Sequence, residues 1–413
     1  MNKKLSMNTA LKYVKAAGIE VHADFILVAY RAYGEIKLAE FPNTTDGIEQ
    51  ATRFMLKRSI KLACMESTGC YHCGIYFALK AARIRVILLN PAKSRSISPH
   101  KTDERDAIWL LRLAETRLIE GSYMPDDKIF ELRILTRRRM KIADTIANLK
   151  KSLMSVLEAM GVKIRELSKS ARSSSIKRFL DDILRGELGK YRKQDVAEKL
   201  FNIFQKSSPE LIRLVKSYIV AIKSLEKALE SIDKTIRDAV EDYIEEIKIL
   251  MSVPGVSFKL AASILAEIGD VNRFDSPEKL VSYAGLAPSV YQSGGKTRLR
   301  GTVRSCNIYL RRVMFLVAFG AMRSKSKIVQ DFVSRLKARG KHFKVIVIAL
   351  ARKLLRIIWY LLRRREKWCE RLREKRIPPR ARRSRVTIEE AVRILREAGY
   401  IVVRCSEGMQ AMV

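Results

Sequence analysis

The chain has 413 residues, enough for two or three domains, and 47% of them are hydrophobic, so a large core can form and global disorder is excluded. Lysine and arginine number 81 against 44 aspartate and glutamate, a net charge of +37. That balance favours a polyanionic partner, because each neutralised phosphate releases counterions, and nucleic acid answers to it better than an anionic membrane surface.

No membrane span is expected. The most apolar stretch, residues 345–362, carries Arg352, Lys353 and Arg356, which are costly in hydrocarbon. The opening MNKKLSMNTALKYVKAAG has no apolar h-region, so no secretory signal is expected and the cytoplasm is the expected location. The six cysteines are too sparse for a disulfide scaffold. Cys70-Tyr71-His72-Cys73 has no second pair nearby to complete a zinc site and reads as ordinary thiols.

In chain order, GIEVH, FILVAYRA and IKLAEF are apolar, β-branched runs separated by turn residues and read as three strands. A helical stretch over 45–57 follows, then the strand KLACME ending at Glu66, a turn at Ser67-Thr68-Gly69, a helix over 75–82, the strand RVILLN, and a helix from Thr102 through DERDAIWLLRLAE. This β-β-β-α-β-α-β-α order suits a mixed sheet flanked by helices. Residues 129–160 are long, basic and helical in pattern. Residues 168–175 are Ser-rich and read as a loop. Leu211, Val215, Tyr218, Ile222, Leu225, Leu229, Ile232, Ile236, Ala239 and Tyr243 then alternate spacings of four and three, a heptad seam. The seam fits either a helical hairpin within one chain or an oligomerisation arm. ILMSVPGVSFKLAASILAEIGDV reads as a helix-hairpin-helix, whose turn at Pro254 and Gly255 could hold a DNA phosphate on backbone N–H groups. The expected divisions are 1–125, 126–248, 249–365 and a basic arm with a small tail over 366–413. Residues 363–385, which run into that arm, hold 12 Lys/Arg against 3 Glu.

Four carboxylates fall where a sheet edge could gather them. Glu20 lies on the first strand, Glu66 ends the fourth, and Asp103 and Asp106 share a face in the first turn of a helix. Hard oxygen donors of this kind suit Mg²⁺ or Mn²⁺ and the chemistry of phosphoryl transfer. Further on, Ser293-Gly294-Gly295-Lys296 with Arg298, Arg300 and Arg304 reads as a flexible loop that sets a hydroxyl beside glycines and cations able to approach a phosphodiester.

The segments GIEVH, NTTDGIEQ, MESTGCY, LLNPAKSR and KTDERDA resemble the N-terminal DEDD domain of transposases of the insertion-sequence one-hundred-and-ten type, a family that includes the Piv-type DNA invertases. PGV…LAEIGD, F-x-SP-x-x-L-x-x-YAGLAP, QSGGK, N-x-YLRR and HFKVIVIALARKLLR resemble its C-terminal transposase domain. The resemblance covers roughly residues 17–115 and 245–362. It implies an RNase H-like (RuvC-like) α/β domain first, a helical coiled-coil middle, and a mainly α C-terminal domain with the helix-hairpin-helix. The metal-binding carboxylates would be Glu20, Glu66, Asp103 and Asp106, with Glu20 standing where the family has aspartate. Ser293 would be a DNA nucleophile in a recombinase that uses a structured guide RNA and works as a homo-oligomer, a dimer or tetramer. The alternatives are a metal-dependent nuclease of the Holliday-junction resolvase type, in which water attacks, and a nucleic-acid-binding protein with a weakened catalytic site.

Overall fold

The computed structural model describes residues 15–67, 69–89, 102–116, 121–167, 174–287, 289–293, 296–300 and 306–369. It divides into two compact units, Met1–Asn148 and Leu149–Val413.

The first unit is an α/β layer structure. Strands β1 (Ala16–Val21), β2 (Phe25–Ala32) and β3 (Glu35–Pro42) form an antiparallel meander, and β4 (Leu62–Glu66) and β5 (Arg85–Leu89) run parallel to β1, giving the order β3-β2-β1-β4-β5. Helices α1 (Thr45–Lys57) and α2 (His72–Ala81) are the crossovers between the parallel strands, and α3 (Asp103–Thr116) follows β5 in sequence. The expected element order is observed, with α2 beginning three residues earlier than its apolar spacing suggested.

Strand alternation separates two cores. Ala17, Ile19 and Val21 of β1 join Ala63 and Met65 of β4 against Ala51 and Met55 of α1 and Ile75 and Leu79 of α2. On the opposite face, Ala16, Leu62 and Cys64 pack against Ala107, Leu110, Leu111 and Ala114 of α3. Gly18 belongs to this second face, and a Cβ there would collide with the backbone of Ala107 and Leu111. The absence of a side chain lets α3 lie directly on the β1 backbone.

Helix α4 (Asp127–Ala159) contains the boundary between the units. In the second unit, α5 (Ser174–Arg185) and α6 (Gln194–Gln205) precede the long α7 (Pro209–Ala239), which ends before a short 3-10 turn at Glu241–Tyr243. The heptad seam is therefore shorter than expected, and it holds in part: Val215, Ile222 and Ile236 are buried as the spacing requires, with Ile219 and Asp233 added beside them. Leu211 is exposed, and the buried line runs Val215, Ile219, Ile222, Asp233, Ile236. The reason is polar. Asp233 pairs with Lys259 at 2.6 Å, and half-buried Glu226 pairs with Lys150 at 2.5 Å, so charged residues occupy seam positions that hydrophobicity alone passes over.

The rest of this unit is mainly helical: α8 (Ile244–Ser252), α9 (Phe258–Ile268), α10 (Pro277–Tyr283), α11 (Ile308–Ala321), α12 (Lys327–Ala338) and α13 (Phe343–Arg364). Helix α13 is its spine. It buries Ile346, Val347, Leu350, Ala351, Leu354, Leu355 and Ile358 against its neighbours, and Trp359 Nε1 donates to the Phe274 carbonyl at 3.0 Å. Between α10 and α11 lies a two-stranded ribbon, β6 (Ser289–Ser293) and β7 (Lys296–Arg300), where a flexible loop was expected. Two short runs with β-branched and aromatic residues separated by Gly-Gly are a hairpin signal in their own right. Among the described residues no helix is long and apolar enough to cross a membrane.

Candidate functional site

Glu20 and Glu66 have the parity of Gly18 and Cys64, so both face the α3 side of the sheet at the C-terminal ends of parallel neighbours β1 and β4. Asp103 and Asp106 open α3 on that side. Thr102 precedes them, its hydroxyl accepting from the Arg105 N–H at 3.4 Å and its carbonyl from the Asp106 N–H at 3.0 Å. The backbone thus puts Glu20 and Glu66 on the α3 side of the sheet and Asp103 and Asp106 in the first turn of α3. Glu20 is buried at 8% exposure, Glu66 and Asp106 are half-buried, and Asp103 is exposed.

The sequence reading missed His22. Its Nε2 lies 3.2 Å from Asp103 Oδ1 and 3.9 Å from Glu20 Oε1, so it spans strand and helix. The ring stacks on Phe25 with centroids 4.6 Å apart, its backbone N–H donates to the Phe25 carbonyl at 2.9 Å, and its carbonyl accepts from Asn43 Nδ2 at 2.6 Å. The available signal was spacing: residue 22 follows residue 20 by one strand period and shares its face. The Asn43-Thr44-Thr45-Asp46-Gly47 run is also accounted for. Asn43 holds His22, the Thr44 hydroxyl caps α1 through the Gly47 N–H, and a Cβ at Gly47 would collide with the Pro42 carbonyl.

Among the described residues no three acidic, histidine or cysteine groups form a closed cation cluster. In kind the donors nonetheless fit a hard divalent ion: they are carboxylates, and an imidazole lies between two of them. Cys64, beneath Glu66 on this face, has its thiol pushed up to about 12 by burial and then by the Glu66 charge. At the start of α2, burial followed by the neighbouring Cys70 raises Cys73 above the ordinary thiol range.

In the second unit the ribbon register sets Ser293 opposite Lys296, Tyr291 opposite Arg298 and Ser289 opposite Arg300. Gly294, Gly295 and Arg304 lie outside the described residues, as does the tail from 370 onward. Pro254 and Gly255 form the half-buried turn between α8 and α9. Gly255 has φ +85°, and a Cβ there would collide with Val317 and Ala321 of α11, so close helix packing by itself demands this glycine.

A family model described as "Transposase IS116/IS110/IS902 family" matches residues 247–334, and a second, the DEDD transposase model of the IS110 group, matches residues 17–161. The pilin gene-inverting protein of Moraxella bovis is 35% identical over 127 residues, 30% of this chain and 39% of that protein. The insertion element IS110 uncharacterized 43.6 kDa protein of Streptomyces coelicolor is 32% identical over 151 residues, 35% of this chain and 37% of that protein. These matches span well under half the length of either relative. The transposase for insertion sequence element IS1111A of Coxiella burnetii is 22% identical over 365 residues, 86% of this chain and 92% of that protein. The match to residues 17–161 covers the carboxylate residues of the first unit and runs past Asn148 into the second, and the match to 247–334 lies within the second and covers the serine ribbon: the chain belongs to the IS110 family of transposases.

Proposed function

We propose that this chain is a DNA recombinase that cuts and rejoins strands by metal-assisted transesterification through Ser293, guided by a structured RNA. The strand order of the first unit supports an RNase H-like reading of that domain. The observation that supports the proposal is the placement of Glu20 and Glu66 on the α3 side of the sheet, with Asp103 of α3 linked to Glu20 through His22. These four residues would hold Mg²⁺ or Mn²⁺, with His22 orienting Glu20 and Asp103. When bound, such an ion supplies Lewis-acid stabilisation of charge developing on the phosphate oxygens.

The chain's own residues do the rest. The Ser293 hydroxyl oxygen bonds to phosphorus as a deoxyribose oxygen leaves and takes up a proton, while the serine proton passes to a carboxylate or to water. Attack by the hydroxyl of another strand reverses the step, restores Ser293 and joins the new ends. The phosphodiester energy is kept in the phosphoserine, so no nucleotide hydrolysis is needed. Lys296, Arg298 and Arg300, on the strand paired with that of Ser293, would hold the neighbouring phosphates by charge. The two sites belong to different compact units, and this reading requires that both act on one phosphate, with a homo-oligomer as the proposed assembly. The net charge of +37 suits the simultaneous binding of DNA and RNA.

The deciding experiment is denaturing-gel analysis of labelled DNA incubated with the protein, with peptide mapping of any covalent adduct. The expected adduct maps to Ser293 and is absent from Ser293→Ala, while DNA binding survives. Cleavage by Ser293→Ala to hydroxyl-ended products, with no adduct from the unaltered protein, would replace this mechanism with hydrolysis by water.

A further inference from the structure

Three motif residues that this mechanism leaves unused meet beneath the root of the ribbon. Glu267, near the end of α9, is 1% exposed. Tyr283 ends α10, and Asn307 caps α11 by accepting the Leu310 N–H at 2.9 Å. The Asn307 side-chain amide donates to Glu267 Oε2 at 2.7 Å and to the Tyr283 hydroxyl oxygen at 2.9 Å. The Asn307 backbone N–H donates to the Tyr283 carbonyl at 2.7 Å. Two arginines extend the same fastening. Arg311 donates to the Gly285 carbonyl at 3.2 Å, and Arg352 of α13 donates to the Leu286 carbonyl at 2.7 Å. Gly285 has φ +65°, and a Cβ there would collide with Arg311 and Cys306.

Residues 283–286 lead into the ribbon and residues 306–311 lead out of it. The chain is thus tied entry to exit, Asn307 ties the exit to the buried Glu267 carboxylate on α9, and the Tyr283 hydroxyl of the entry donates to the Glu267 backbone carbonyl at 3.5 Å. A carboxylate is expensive to bury and is kept only where charge-assisted hydrogen bonds satisfy it. A two-stranded ribbon is marginal in water by itself and takes its placement from what it is anchored to.

The structure assigns Glu267 a positioning role: through Asn307 and Tyr283 it fixes the root of the ribbon and with it the reach and direction of Ser293. The assignment rests on the serine mechanism proposed above. Glu267 touches neither DNA nor phosphate, and its effect passes through the placement of the nucleophile, where a displacement of about 1 Å costs about a hundredfold in rate.

The test is a reciprocal exchange. Asn307→Asp keeps the α11 cap, since aspartate caps as well as asparagine, but sets two carboxylates face to face. The double variant Glu267→Gln/Asn307→Asp restores a donor–acceptor pair with its direction reversed. For Asn307→Asp, adduct formation should slow about a hundredfold with DNA affinity unchanged, and amide exchange across 289–300 should quicken. The double variant should recover most of both. Tyr283→Phe, which removes one oxygen, should slow the adduct about tenfold and covers the case in which Asn307→Asp does not fold. Wild-type adduct rates in Asn307→Asp or Tyr283→Phe overturn the assignment, as does a double variant no better than the single. If the unaltered protein forms no adduct, the serine mechanism fails and the catalytic role falls with it. The exchange data then decide the anchoring separately, and unchanged ribbon exchange in the variants overturns that as well.

Discussion

Glu20 and Glu66 stand on strands that have partners on both sides and a helix lying against the β1 backbone, whereas Ser293 stands on a ribbon of two strands fastened at its root. The first arrangement sets side-chain positions through a layered core. The second sets one position through a handful of hydrogen bonds. A cation site needs several donors held together to within a fraction of an ångström, which regular elements provide. In the mechanism proposed above, a nucleophile that must enter and leave a phosphate during strand exchange needs reach, and one well-placed anchor would preserve it.

The sharpest way to break this contrast is Asp106→Asn. If the sheet edge holds the metal, strand cleavage should fall by about a thousandfold or more, while DNA and RNA binding hold, because the lost charge repels phosphate. A gel cleavage assay beside a filter-binding assay separates the two, and wild-type cleavage would remove Asp106 from the site.

Next comes Gly18→Ala. The new methyl group must push α3 off β1, so overpacking should destabilise the first unit by about 1–3 kcal/mol and displace Asp103 and Asp106 together. Thermal unfolding and cleavage should fall in parallel. Gly255→Ala, with its φ of +85° and its collision with α11, should destabilise the second unit by a similar amount and leave the carboxylate edge untouched.

Asp182 gives a pH-dependent probe of the second unit alone. Burial pushes its carboxyl upward, but hydrogen bonds from the Tyr191 hydroxyl at 2.6 Å and the Gly189 N–H at 2.9 Å, with the Arg185 ion pair, hold it below the usual carboxylate value. A depressed folded value stabilises the native state above the ordinary aspartate range, and that contribution is lost as pH falls through the folded value. Acid titration of thermal stability should show this loss below about pH 4, and Asp182→Asn should flatten it. An unaltered acid limb in Asp182→Asn would assign the loss to other groups.

The smallest effect sharpens the carboxylate edge. Glu20→Asp shortens the side chain by one methylene and, if the edge holds the metal, should raise cleavage a few-fold in Mg²⁺, with less gain in the larger Mn²⁺. Equal or lower activity would show a site already adapted to glutamate.

The first unit was legible because its strands alternate cleanly: the parity that buries Ala17 and Ile19 against α1 and α2 also turns Glu20 toward α3. His22 was not legible, since a histidine one strand period from a carboxylate becomes meaningful only when Asp103 arrives from a helix 81 residues away. In the middle of the chain, an apolar count could not register Asp233 as a buried seam residue, because Lys259, its partner, belongs to another helix. The ribbon was read as a loop because its glycines drew more weight than the strand-like runs on either side. The Glu267–Asn307–Tyr283 cluster combines residues from three separated motifs, and no local pattern joins them.

The bare contact at Gly18 makes α3 a ruler. Its origin is the point where Ala107 and Leu111 touch the strand, and Asp103 and Asp106 are read off one turn or so upstream. Each residue of an α-helix advances about 100° around the axis, so the carboxylates keep their bearing only if the count between mark and origin is kept. A single residue inserted between Asp106 and Leu111 would swing both aspartates by about that angle while leaving every functional side chain present. Drift in this stretch is therefore tolerated as substitution and refused as insertion or deletion, and a copy of the element can lose its chemistry without losing one acidic residue.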